Sequence, residues 1–113
     1  MLLRDDILNS NDRPKETVSV PEWGGEVIVQ AMTGTERDDF ERSIYHDGIK
    51  DFDNVRAKLC VRSIVDTEGK KVFTLLDIKE LGKKNCKPLD KVFGVAKRLS
   101  GVGSQEILAL KKK

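Results

Sequence analysis

The side chains able to do chemistry in this chain are few and scattered. Two thiols, Cys60 and Cys86, and a single imidazole, His46, are the obvious candidates for nucleophile, base or metal ligand. Neither cysteine has the histidine nearby in sequence, and two cysteines with one histidine fall short of the four ligands of a tetrahedral zinc site. His46 stands where a helix is expected to end, a position in which imidazole usually meets terminal carbonyls. Gly24-Gly25 is followed by a strand pattern and lacks the Gly-Lys-Ser/Thr of a phosphate loop. The acid pairs Asp38/Asp39 and Asp51/Asp53 read as solvated helix ends. The residues therefore point to a protein that binds, with no catalytic, cofactor or metal residues to assign.

Charge is the stronger signal. Charged residues make up 35% of the 113 positions and apolar ones 38%, which allows one domain with a thin core. The net charge of +2 hides a division: residues 1–69 carry nine bases and fifteen acids, and residues 70–113 carry twelve bases and four acids. A basic second half suits nucleic acid, an acidic protein surface, or the acidic half of another copy, so contacts between copies are electrostatically available. Lys79, Lys83, Lys84, Lys87, Lys91, Lys97 and Arg98 could meet phosphates, and a small nucleic-acid-binding module is the alternative reading of the chain. Against it, Phe93 lies on an apolar stripe, which leaves no aromatic platform for stacking bases. No run approaches a membrane span. Met1-Leu2-Leu3-Arg4-Asp5-Asp6 brings acids too early for a secretory leader, so a cytoplasmic protein with reduced, buried thiols is expected.

The elements follow from periodicity and punctuation. Residues 2–8 suit a short helix within an N-terminal arm of residues 1–15. Thr17-Val18-Ser19-Val20 and Glu26-Val27-Ile28-Val29 alternate as strands, and Pro21-Glu22-Trp23-Gly24-Gly25 between them is a hairpin loop, giving a ribbon over 16–32. Thr33 and Glu36 have capping-box spacing and open a helix with Phe40 and Ile44 on one face, closed by Asp47-Gly48. A second helix starts at Asp53 or Asn54. Ala57, Cys60, Val61, Ile64 and Val65 share one face of it, and Val55 and Leu59 form a second stripe flanked by Lys58 and Arg62. Val72-Phe73 reads as extended and Thr74-Leu75-Leu76-Asp77 as a helix start, ending at Gly82 as a C′ residue. Pro88 begins a further helix whose core stripe is Leu89, Val92, Phe93, Ala96 and Leu99, broken at Gly101. A last short helix is expected from Ser104 to Leu110.

Val18-Ser19-Val20-Pro21-Glu22-Trp23-Gly24-Gly25-Glu26-Val27-Ile28-Val29, followed by Met32-Thr33-Gly34-Thr35-Glu36-Arg37-Asp38-Asp39-Phe40-Glu41, resembles the tail assembly chaperones of long-tailed bacteriophages and prophages. The similarity runs on through Arg56-Ala57-Lys58-Leu59-Cys60, Ser63-Ile64-Val65-Asp66 and Arg98-Leu99-Ser100-Gly101, and covers about residues 2–107. At the end Lys111-Lys112-Lys113 stands where many of that family are acidic. The resemblance implies a non-enzymatic protein of the host cytoplasm that keeps the apolar tape-measure protein soluble while tail-tube subunits polymerise around it. It further implies absence from the mature virion, with the tail-tube protein as a further partner.

The expected fold is thus α+β: one domain over 1–113, with an N-terminal β-hairpin packed against four to five helices spanning 33–110. Trp23, Gly24 and Gly25 form the structural loop, and Thr33 and Glu36 the cap. A holdase needs apolar stripes edged by charge. Val55, Leu59 and Val95, the last at the margin of the Pro88 helix, are the candidate partner contacts.

Overall fold

A computed structural model describes residues 1–102; the expected helix from Ser104 to Leu110 and the closing lysines lie outside the described residues. The fold is α+β. An N-terminal helix, α1 (Arg4–Leu8), precedes a hairpin of β1 (Lys15–Val20) and β2 (Gly25–Gln30). Then come α2 (Gly34–Ile44), a small hairpin of β3 (Tyr45–His46) and β4 (Ile49–Lys50), and α3 (Val55–Ser63). Strand β5 (Ile64–Val65) follows at once, and α4 (Ile78–Leu81) and α5 (Cys86–Ser100) complete the described chain.

The first hairpin forms for the reasons its sequence gives. Val18 and Val20 face the core of β1, with Val27 and Val29 opposite Val18 and Glu16 on β2. Pro21 opens a tight turn through Trp23, whose exit residue Gly24 adopts φ +85° and donates its N–H to the Pro21 carbonyl (3.0 Å). Only Gly24 needs that freedom. Gly25, read from the sequence as part of the loop, is already in β2 opposite Val20. β5 adds a third antiparallel strand by pairing Ile64 with Val29 and Val65 with Ile28.

Ile64 and Val65, read from periodicity as the end of a helix, are therefore strand. Both are β-branched, and a partner for the second edge of β2 satisfies their backbone better than another helical turn would. Further differences are local. α2 stops at Ile44, and Asp47-Gly48, both at positive φ, make the turn of the β3–β4 hairpin. Gly82 ends α4 with right-handed φ of −63°. A Cβ there would meet the Asn54 side-chain amide, which would have to turn aside. Gly101 does close α5 in the left-handed conformation. Cys60 is buried as expected, but Cys86, at the first position of α5, is exposed.

The helix α3 is the centre of the molecule. It packs on α2, α4 and α5, and every residue from Ala57 to Ser63 is buried. Leu59, expected from the sequence as a partner contact, has no exposed surface and is core, whereas Val55 on the same stripe is partly buried. Enclosure forces the two cations of α3 to find acceptors within the protein. Lys58 Nζ donates to the Ser43 and Asp51 carbonyls (3.0 and 3.2 Å) beside the Asp51 carboxylate. Arg62 donates to Asp39 Oδ2 (2.8 and 3.2 Å) and to the Lys58 carbonyl (2.6 Å), with its guanidinium over the Phe40 ring.

The capping box at the start of α2 is formed as expected. Glu36 N–H donates to Thr33 Oγ1 (3.1 Å) and Thr33 N–H to Glu36 Oε1 (2.8 Å). Glu36 does more than cap, because it also accepts from Arg13 (3.3 Å) and pairs with Lys71. Partial burial opposes its charge, yet the Lys71 hydrogen bond, the Thr33 N–H, and the Lys71 and Arg13 charges together hold its carboxyl below the ordinary 4.5.

Two predictions follow from this geometry. Gly24→Val places a β-branched residue at φ +85° in open space, so only backbone strain acts, and the cost is about 1–3 kcal/mol. Gly25→Val should stay within about 0.5 kcal/mol of the parent; equal denaturant midpoints for both variants would contradict the assignment. The second prediction concerns acid. A depressed carboxylate contributes stability that is complete above its unfolded pKa and is lost as pH falls through the folded one. The melting temperature should therefore decline as pH drops below 4.5, the ordinary value from which Glu36 is lowered. Glu36→Gln should melt lower at neutral pH, and the difference should shrink as the pH falls below the ordinary 4.5 and the parent carboxyl takes up its proton. A constant difference across the titration would remove Glu36 as the cause.

Candidate functional site: an exposed apolar face

The most unusual surface of the protein lies between β5 and α4. Val72, Leu75 and Leu76 are 52%, 53% and 91% exposed, beside the half-buried rings of Trp23 and Phe73. Single exposed apolar residues are ordinary, but a contiguous group is not.

Local structure holds these side chains out. After β5, Asp66 Oδ1 accepts the N–H groups of Glu68 (2.8 Å) and Lys70 (3.0 Å), and Gly69 turns at φ +81°. The returning chain pairs Lys71 with Val65, and Val72 N–H donates to the Ile64 carbonyl (3.2 Å). Thr74 then caps a single 3-10 turn over Leu75–Asp77. Its Oγ1 accepts from Leu76 N–H (3.3 Å), and its own N–H donates to Asp77 Oδ2 (2.9 Å). The turn is thus locally self-sufficient, which fixes Leu75 and Leu76 in position without burying them.

Phe73 borders three shallow hollows. One of about 590 Å³ is floored by Trp23, Phe73 and Leu81 and rimmed by Glu22, Glu80, Lys83 and Lys84. A second of about 330 Å³ lies among Val61, Phe73 and Leu75, with Glu36, Arg42 and Lys71 at its edge. The third, about 360 Å³, lies among Trp23, Val27, Ile28, Val65 and Val72, where the two-residue β5 leaves the start of β2 paired on one side only. An apolar floor with a rim of both charges suits the apolar stripe of a protein segment more than a small polar ligand.

The sequence-level candidates lie elsewhere. Leu59 is in the core, while Val55 and Val95 are partly buried and packed against it. Trp23 is the one loop residue that joins the face. Val72-Phe73 and Leu75-Leu76 were visible as an extended piece and a helix start, but nothing in their spacing marks them as uncovered. The groups with chemical potential stay apart. His46 Nδ1 donates to the Arg42 carbonyl (3.0 Å) at the end of α2. The Cys60 thiol is pushed up to about 12 by burial and stays protonated at neutral pH. No group of three metal-ligating side chains occurs among the described residues, and none of the described helices is long and apolar enough to cross a membrane.

The basic residues of α5 are partly engaged at home. Arg98 grips both oxygens of Glu16 on the hairpin (2.7 and 2.8 Å), Lys91 reaches the Ser19 carbonyl (2.5 Å), and Lys97 lies over the Phe93 ring (4.9 Å). Together with Lys71–Glu36, these pairs close part of the charge division within one chain.

No protein-family model matches this sequence, and no curated protein does. Among solved structures the chain is similar to that described as "Structure of bacteriophage HK97 tail assembly chaperone". The TM-score is 0.62 at 17% identity, over 84% of this chain and 90% of that one. At that identity the likeness is one of architecture: the protein has a tail-assembly-chaperone-like fold.

Proposed function

We propose that this protein is a phage tail assembly chaperone that binds the tape-measure protein through the Trp23–Phe73–Leu76 face and keeps it soluble until tube subunits enclose it. The observation that carries the reading is the contiguous apolar face on a fold similar to that of the HK97 chaperone. A holdase must offer apolar surface to a client without hiding it in its own core, and Val72, Leu75 and Leu76 do so from a self-capped turn. In this reading the chain works in the host cytoplasm, acts without catalysis, hands its client on near the tail-tube protein, and does not remain in the virion.

The test separates the face from the core. Leu75→Asp with Leu76→Asp places both carboxylates in water, so the domain should keep its melting temperature within a few degrees. It should lose capture of co-expressed tape-measure protein by at least about tenfold, the effect of forfeiting ~1.4 kcal/mol or more of apolar contact. Val55→Asp with Leu59→Asp is the contrasting variant, because it buries a charge at Leu59 and should unfold the protein. A folded Leu75/Leu76 variant that still captures the client sinks the proposal. Capture by the parent protein that disappears in high salt would instead assign binding to the basic residues.

A further inference from the structure

Among the described residues, the exposed large apolar side chains fall into two groups, Ile49 apart. One is the face formed by Val72, Leu75 and Leu76. The other is the N-terminal arm, where Met1, Leu2, Leu3, Ile7 and Leu8 are each more than half exposed and every residue from Met1 to Asp12 is exposed. Leu3 caps α1, and its carbonyl accepts the Ile7 N–H (3.1 Å), which sets the two residues one turn apart. Two unpartnered apolar surfaces on one chain are each other's nearest available cover.

The root of the arm is fixed at the edge of the face. Arg13 Nε donates to the Ala31 carbonyl (3.0 Å) and its Nη2 to Glu36 Oε1 (3.3 Å). Glu36 is itself a wall of the hollow that contains Phe73 and Leu75. From Arg13 back to Ile7 is six residues, a reach of about 20 Å when extended, and Ser10–Pro14 carry no regular structure to hold them elsewhere. The rim of that hollow carries Glu36 and Asp39 as well as Arg42 and Lys71, each of these cations already paired with one of the acids, so tether length and apolar contact select the seat, and charge does not. We propose that the N-terminal arm is a tethered lid that folds over the Phe73–Leu75–Leu76 face of its own chain and is displaced by client, the structure described here being the open form.

This inference rests on the face being the client site, but its physics does not need the client. A short tether supplies an effective concentration in the millimolar range, enough for a weak apolar contact to be closed a substantial fraction of the time. The lid then lowers the affinity for client by that same occupancy factor, and protects the free protein from sticking to copies of itself.

The experiment uses an apolar fluorescent dye on the full chain, with no client present. Leu3→Asp with Ile7→Asp removes two exposed apolar side chains, so a free arm predicts dye binding that falls or stays level. A lid predicts the opposite sign: binding rises by roughly two-fold or more, because the face is uncovered. Adding Leu75→Asp and Leu76→Asp should abolish the rise. Level or reduced dye binding overturns the lid. A rise that disappears on tenfold dilution also overturns it, by showing that the arm covers a second copy. Failure to capture tape-measure protein in the earlier test would leave these dye results unaffected, so the two readings fail separately.

Discussion

The rest of the structure depends on the enclosure of α3. A nine-residue helix that carries Lys58 and Arg62 cannot be surrounded by protein unless both cations find acceptors, since an unpaired buried charge costs several kcal/mol. Those acceptors fix the position of the neighbouring segment: Asp39 and the Ser43 carbonyl belong to α2, and Asp51 to the loop that follows. Once α2 is held in that way, its first turn brings Glu36 to Lys71, and the chain returning from β5 is pinned beside it. The stretch from Val72 to Leu76 lies against α3 and the core through the half-buried Phe73 ring and the turn that starts at Leu75, while Val72, Leu75 and Leu76 keep most of their surface outward.

Sequence patterns were most informative where structure is set locally. The Thr33–Glu36 capping box and the Pro21–Gly24 turn each involve residues within four positions of one another, and both formed as read. Patterns failed where two long-range demands competed. A helical wheel placed Ile64 and Val65 with Cys60 and Val61, yet pairing with Val29 and Ile28 took them into the sheet. The wheel also put Leu59 beside Val55 on a second stripe, and could not say that helices would cover it. The face is the counterpart of that error. Leu75-Leu76 looks the same in sequence whether it is buried or open, and only the tertiary packing around the turn decides. Cys60 and Cys86 make the same point, since two thiols both expected inside ended one inside and one outside.

The buried hydroxyl of Ser63 is the one buried side-chain polar atom without a hydrogen-bond partner among the described residues. It stands at the junction where α3 becomes β5, the point at which the backbone changes from helical to extended. A hydroxyl at that joint can turn to a carbonyl of the preceding helical turn or take a buried water, so the small side chain fits the change of backbone without a fixed partner.

The face is also limited in strength, and that limit shapes how it would be used. Fully burying a leucine or valine side chain is worth about 1.5–3 kcal/mol, and these three begin only half to nine-tenths exposed, so their joint gross contribution is roughly 3–6 kcal/mol. Association costs about 4–15 kcal/mol in lost translational and rotational freedom. Trp23 and Phe73 add some contact area, but they are already half-buried and have less to gain. A single copy on a single client segment is therefore weakly held. A long client with repeated apolar stripes changes the arithmetic, because many weak contacts retain it collectively while each one releases readily. In the proposed role, weakness per site would let an advancing layer of tube subunits remove the copies one at a time.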